Sequence, residues 1–168
     1  MATPTYTLLG STILSSSASS VTFTSISQDY GDLVMVIEAA AATSQDFYAR
    51  IRYNDSTSNY HWVSAQGQSG NTVSYSGVEN GQQITNAAYL KNNNEKSLIT
   101  VQIMNYSATN MQKTMISEAA RYAEVLELLA GRWESTAAIN KVHLYSTNGA
   151  NLAAGAKVYL YGIAKVVS

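Results

Sequence analysis

Short runs of β-branched and aromatic residues alternate with clusters of Gly, Ser, Asn and Asp along the whole chain, the pattern of an all-β protein. Tyr6 to Leu9 opens the series, and Ser15-Ser16-Ser17-Ala18-Ser19-Ser20 supplies a turn. Val21, Phe23 and Ser25 then alternate with Thr22, Thr24 and Ile26, as in a half-buried strand. The continuous apolar run Leu33-Val34-Met35-Val36-Ile37 reads as a strand covered on both faces. Phe47, Ala49, Ile51 and Tyr53 alternate with Tyr48, Arg50 and Arg52, and Asn54-Asp55-Ser56 turns the chain towards a returning strand at Tyr60, Trp62 and Ser64. This pair predicts a hairpin. The Gly-, Ser- and Asn-rich stretch from Gln66 to Gly81 reads as a long loop with room for a short strand at Val73 to Tyr75. Leu98, Thr100, Gln102 and Met104 face one way and Ile99, Val101 and Ile103 the other. Ile139 to Tyr145 and Val158 to Val167 are the last two strands, joined by Asn148-Gly149-Ala150-Asn151.

One stretch breaks the period. In Met115 to Leu129, Ile116, Ala119, Ala120, Ala123, Leu126 and Leu129 are spaced as on an amphipathic helix, among good helix formers. Read as strands, Met115 to Arg121 and Val125 to Leu129 pair across a short turn. Nine or ten short strands in a chain of 168 residues predict one domain, 1–168, built as a two-sheet β-sandwich. A jelly roll is the most economical such arrangement, since long crossing loops join strands as well as hairpins.

Composition narrows the function. Hydrophobic residues make up 46% of the chain, enough for a core, whereas only 12% are charged, so Ser, Thr, Asn and Gln must carry its solubility. Twelve tyrosines against two phenylalanines fit surfaces that bury a ring and keep a hydroxyl wet. The net charge is −1 with no Lys/Arg cluster, which argues against nucleic-acid binding. With no cysteine, disulfides, Cys–zinc sites and thiol chemistry are excluded. Met1-Ala2-Thr3-Pro4 does not open a signal peptide. The longest apolar run, Leu33 to Ala42, is interrupted by Glu38 and falls short of the ~20 residues of a membrane-spanning helix, so no membrane partner is expected.

Candidate chemistry is thin. Only His61 and His143 could serve as a catalytic base, and no Gly-x-Ser-x-Gly motif accompanies them. The carboxylates are scattered. Glu38, within an apolar strand, is the one whose pKa burial could raise, unless it pairs with Arg50 or Arg52 on a neighbouring strand. Asn54-Asp55-Ser56-Thr57-Ser58-Asn59 offers oxygen ligands for calcium but only one carboxylate, and it is equally what a turn requires. Gln66-Gly67-Gln68-Ser69-Gly70-Asn71 has glycines but no lysine or following helix, so it is no phosphate loop. The residues therefore assign no catalytic group, metal or cofactor. Trp62, Tyr75, Tyr89 and Tyr106 are candidates for stacking on sugars, although cores and subunit contacts are the commoner places for such rings, and with Asn93 they form a candidate contact surface.

Several short segments occur together and in order: Tyr6-Thr7-Leu8-Leu9, Ser20-Val21-Thr22-Phe23-Thr24-Ser25-Ile26, Tyr30-Gly31-Asp32-Leu33-Val34, Ile51-Arg52-Tyr53-Asn54-Asp55, Asn105-Tyr106, Lys113, Gly131-Arg132-Trp133, Thr136-Ala137-Ala138-Ile139 and Leu160-Tyr161-Gly162-Ile163. In this the chain resembles small jelly-roll virion proteins of tailed bacteriophages, frequent in phages of cyanobacteria and other aquatic bacteria, which act as capsid decoration (cement) proteins or as fibre and spike modules. The resemblance implies a structural, non-enzymatic role on the virion surface, at the capsid exterior. It also implies the major capsid protein as partner, a homo-trimer, and a strand pair for 115–129; it supplies no catalytic residue. The alternative within the same resemblance is a receptor- or glycan-binding module of a fibre or spike.

Overall fold

The computed structural model describes residues 5–42, 47–68, 70–79, 81–83, 90, 96–121 and 125–165. Among these the chain is all strand: β1 (Tyr6–Ile13), β2 (Ser20–Phe23), β3 (Tyr30–Ala39), β4 (Ala49–Tyr53), β5 (Tyr60–Gln68), β6 (Asn71–Glu79), β7 (Gln82–Gln83), β8 (Ser97–Met104), β9 (Lys113–Arg121), β10 (Val125–Trp133), β11 (Val142–Ser146) and β12 (Lys157–Ala164). An eight-stranded sheet has the order β1-β12-β3-β8-β9-β10-β5-β6, and a four-stranded sheet the order β2-β11-β4-β7.

Setting aside β5–β6 and β9–β10, the eight remaining strands pair antiparallel as β1 with β12, β2 with β11, β3 with β8 and β4 with β7. That is one long antiparallel ribbon folded back on itself, its successive pairs falling alternately in the large and the small sheet. Such a ribbon rolled into two facing sheets is a jelly roll. The two extra hairpins both join the large sheet beyond β8, where β9 pairs β8, β10 pairs β9 and β5 pairs β10. The all-β, two-sheet sandwich expected from the sequence is therefore what forms.

The core lies between the sheets. Leu33, Met35 and Ile37 of β3, Ile99, Val101 and Ile103 of β8, Val158 and Leu160 of β12 face Ile51 and Tyr53 of β4 and Val142 and Leu144 of β11. The β8 alternation is as the sequence predicts. β3 is not covered equally on both faces, since Val36 and Glu38 are only half-buried.

Three expectations are corrected, and one open choice is decided. Tyr60 to Ser64 does not return as a hairpin on β4; β4 belongs to the small sheet and β5 to the large one. The turn between them is a corner from sheet to sheet, with Asn54 and Asp55 at φ 51° and 60°. Most of 66–81 is strand, because β5 and β6 form a hairpin in register from Tyr60↔Glu79 to Gln68↔Asn71. Of the two readings of 115–129, the strand pair holds, as β9 and β10. Glu38 is not raised by burial and does not pair with arginine. It lies 2.6 Å from Lys96 and 3.3 Å from Lys157, whose ammonium groups hold its pKa below the usual carboxylate value.

The corner is the most densely bonded part of the fold. Asn54 donates its side-chain amide to Ala138 O (2.8 Å), and its Oδ1 accepts from the N–H groups of Asn140 (3.0 Å) and Lys141 (3.2 Å). Tyr53, Tyr60 and Trp133 pack ring on ring, with centroids 5.6 to 6.0 Å apart. The Tyr60 hydroxyl accepts from Tyr53 N–H (3.0 Å) and donates to Ser56 O (3.3 Å). Beside them the buried Lys113 ammonium donates to the carbonyls of Ala108 (2.7 Å), Met111 (2.8 Å) and Thr136 (3.2 Å), tying two loops together.

The two corner tyrosines should behave oppositely. The Tyr53 hydroxyl is buried without a hydrogen-bond partner among the described residues, so Tyr53→Phe removes a desolvated dipole and is expected to be neutral or stabilising by up to about 1 kcal/mol. Tyr60→Phe leaves the Tyr53 N–H orphaned and should cost about 1–3 kcal/mol. Denaturant unfolding of the two variants checks the contrast.

Candidate functional site

The large sheet has eight strands and the small one four, so the large sheet presents a broad outer face to solvent. On β8, β9, β10 and β5 the residues that alternate with the core point there. Because strand side chains alternate, the register lays them out in rows. One row runs Leu98, Ala120, Leu126; the next Thr100, Glu118, Leu128, Ala65; the third Gln102, Ile116, Ala130, Val63. Leu98, Ile116, Leu126, Leu128, Val63 and Val78 are each more than half exposed. Together they present on the order of 500 Å² of apolar surface, at the upper end of the largest patch on a typical monomer and characteristic of interaction sites.

Charge is sparse on this part of the face. Glu118 sits in the middle row beside Leu128 and Arg132 lines the groove, and neither makes an ion pair among the described residues, while Glu38, paired with Lys96 and Lys157, stands opposite Leu98. Towards the other end of the sheet, Tyr159 and Tyr161 of β12 lie stacked, half-buried, opposite Val36 and Val34 of β3. Tyr6, Leu8 and Ile13 extend the exposed apolar surface onto β1.

A shallow groove of about 520 Å³ crosses the face over β10, β5 and β6, lined by His61, Val63, Ser76, Val78, Ala130 and Arg132. The His61 imidazole is 3.2 Å from the Glu134 carboxylate. On the opposite, inner side of the same strands Gly77 leaves room for the Trp62 indole; a Cβ there would come within 2.9 Å of its Nε1.

The sequence-predicted contact residues fare unevenly. Tyr75, 45% exposed, is at the surface, on the edge strand β6. Trp62 and Tyr106 are core residues rather than contacts: Trp62 is packed against Gly77, and Tyr106 is fully buried with its hydroxyl donating to Ser27 O. Tyr89 and Asn93 lie outside the described residues. The exposed leucines and valines of the outer face were missed, although their signal, apolar residues on both faces of the 115–129 pair, is visible in the sequence.

The other candidate chemistry is dispersed. His143, in the small sheet, accepts or donates at Nδ1 towards Thr22 Oγ1 (2.8 Å) and stacks on Tyr145. It is remote in the sheet order from His61, and Arg52 lies over the Tyr145 ring at 4.4 Å. In the 54–59 turn, the Asp55 carboxylate is engaged by Lys141 at 2.8 Å and the Asn54 amide is committed to the corner. Among the described residues no group of three or more His, Asp or Glu is placed to hold a metal ion, and no helix is long and apolar enough to cross a membrane.

No family model matches the chain, and no curated protein matches it in sequence. Among solved structures it is similar to CG-16, a homodimeric agglutinin from chicken liver, at 10% identity and a TM-score of 0.34, over 84% of this chain and 98% of that one. A human SPRY domain aligns at 11% identity and a TM-score of 0.22, over 94% and 99%. At such values the fold rests on the strand order itself.

Burial and the cations of Lys141 and Arg52 hold the His143 pKa below its ordinary value of 6.5. The unfolded chain then takes up this proton first as pH falls, so the group's contribution to stability is complete above about pH 6.5 and is lost as pH falls through that value towards the lower folded one. Denaturant titrations from about pH 7 to about pH 5.5 should show stability falling, with a shallower slope in His143→Gln.

Proposed function

We propose that this chain is a non-enzymatic structural protein whose large sheet docks by its outer face on a bigger assembly. In its specific form the proposal is a capsid decoration protein of a tailed phage, bound to the major capsid protein on the virion exterior and stabilising the shell. The observation that carries the reading is the outer face around Leu126 and Leu128, where six exposed aliphatic side chains lie together and Glu118 is the charge in their midst. Apolar surface of this extent repays burial at ~25 cal/mol per Å² before the costs of association. Repetition of modest contacts over a shell adds up to firm attachment. The sequence segments shared with small virion proteins support the specific form.

A second reading, a glycan- or receptor-binding module of a fibre or spike, is favoured by the groove. An imidazole and a guanidinium, His61 and Arg132, stand beside the apolar side chains of Val63 and Val78, a combination suited to a ring with a polar rim and an apolar face.

Co-sedimentation with undecorated capsids tests the first reading. The purified protein should bind and raise the temperature at which the capsids rupture. Leu126→Glu with Leu128→Glu should weaken binding at least about tenfold while leaving the melting temperature nearly unchanged, since both side chains are exposed. A protein that ignores capsids but binds host cells, and loses that binding in His61→Ala with Arg132→Ala, would replace the first reading with the second.

A further inference from the structure

Among the described residues β6 ends the large sheet, and no strand pairs its outer edge. An edge strand presents a row of unpaired N–H and C=O groups that will pair with any suitable strand, so soluble proteins blunt such edges with short strands, lysines, prolines, bulges or a covering segment. β6 has none of the intrinsic devices. It is nine residues long, all of Asn71 to Ser76 are exposed, it contains no lysine, arginine or proline, and its sole charge is the terminal Glu79. Its register on β5 runs without a shift from one end to the other, so no bulge twists it away. The opposite edge differs: β1 carries an irregularity between Leu8 and Gly10, and backbone bonds from Ala164 N–H to Thr5 O and from Leu14 N–H to Ala156 O tie down both ends.

We propose that β6 pairs antiparallel with β6 of a second copy about a two-fold axis at Tyr75, joining two eight-stranded sheets into one. The occupant is a second copy because the strand complements itself in this register. Tyr75 meets Tyr75, Ser74 meets Ser76, Val73 meets Gly77, Thr72 meets Val78, and each Glu79 meets Asn71 of the other copy. No like charges face each other, and no bulky pair except the two tyrosines has to fit. Glu79 is also neutralised within its own chain by Arg50 at 3.1 Å. At ~3.4 Å per residue the strand offers a seam about 30 Å long. With the partly exposed Val73, Tyr75 and Val78 the pair buries on the order of 1,000 Å² in total, the low end for a specific interface. The dimer is therefore concentration-dependent. Pairing uses the edge and leaves the outer face free, so it does not rest on the capsid reading. Being two-fold, it gives a dimer where the virion-protein resemblance implies a trimer.

Sedimentation equilibrium of the full chain across the micromolar range tests this. The wild type should pass from monomer to dimer. Ser74→Lys with Ser76→Lys sets lysines opposite lysines in two symmetry-related pairs and should raise the dissociation constant roughly tenfold or more with little change in melting temperature. Ser74→Lys with Ser76→Glu places opposite charges in the same pairs and should restore dimerisation, which separates the pairing from any effect on folding. Backbone amides of Thr72 to Val78 should gain hydrogen-exchange protection with concentration. A wild type that stays monomeric or forms trimers would overturn the proposal, as would a dimer indifferent to the lysine pair but lost in the Leu126→Glu, Leu128→Glu variant.

Discussion

The fold depends on holding one corner, where the chain leaves the small sheet at Tyr53 and enters the large sheet at Tyr60. A rolled ribbon has no hairpin at that point to fix the two sheets relative to one another, so side chains must do it. Asn54 uses both ends of its amide on the 138–141 backbone, Tyr60 hydroxyl caps the Tyr53 amide, and Trp133 lies against both rings. Lys113, beside Trp133 in the register, binds one more carbonyl of the β10–β11 connection, at Thr136, and two of the loop before β9, at Ala108 and Met111. A buried ammonium is costly unless its donors are met, and here three carbonyls meet them. These bonds converge where both inserted hairpins begin or end, and so fix where those hairpins can lie.

The hairpins extend the large sheet well past the edge of the small one. An eight-strand ribbon balanced four against four would have a small outer face on each side; adding β9, β10, β5 and β6 to one sheet makes that face broad and moves its edge outward to β6. The apolar patch and the open edge are therefore two results of the same insertion. On β10 the inner side of the extension remains buried, as Val125, Glu127, Leu129 and Trp133 alternate with exposed Leu126, Leu128, Ala130 and Arg132.

Much of the fold was legible because most strands follow a period of two: β4 and β8 read from residue types alone. The failures share a physical origin. In β9 and β10 the outward positions Ile116, Leu126 and Leu128 are as apolar as the inward ones, so the alternation is blurred and a helical spacing emerges. The residues that hid the strands are those that make the candidate site. In β6 the opposite holds: Asn71, Thr72, Ser74 and Ser76 are polar because the strand is exposed at an edge, and a polar strand rich in Gly and Ser reads as a loop. At Asn54-Asp55 the turn signal was real, but a turn residue cannot say whether the next strand joins the same sheet or the facing one. For Trp62 and Tyr106 residue type leaves core and contact both open, and a glycine on the adjacent strand and a carbonyl partner place them inside.

Several segments that carry the virion-protein resemblance have structural duties. Tyr53, Asn54, Lys113, Trp133 and Ala138 build the corner, Tyr106 bonds to Ser27, and Gly162 leaves room for the Tyr30 ring that lies over it. What such residues specify is a scaffold, whereas the outer face lies largely beyond them, on Leu98, Ile116, Leu126, Leu128, Val63 and Val78. A scaffold held by a few bonded residues can carry a contact face that those bonds do not specify, which is how one fold serves different partners. It follows that the resemblance and the outer face inform different questions. The first concerns how the chain rolls up, and the second what it rests against. The low charge of the chain belongs to the second, since a face with few ions loses less solvation when covered than a densely charged one.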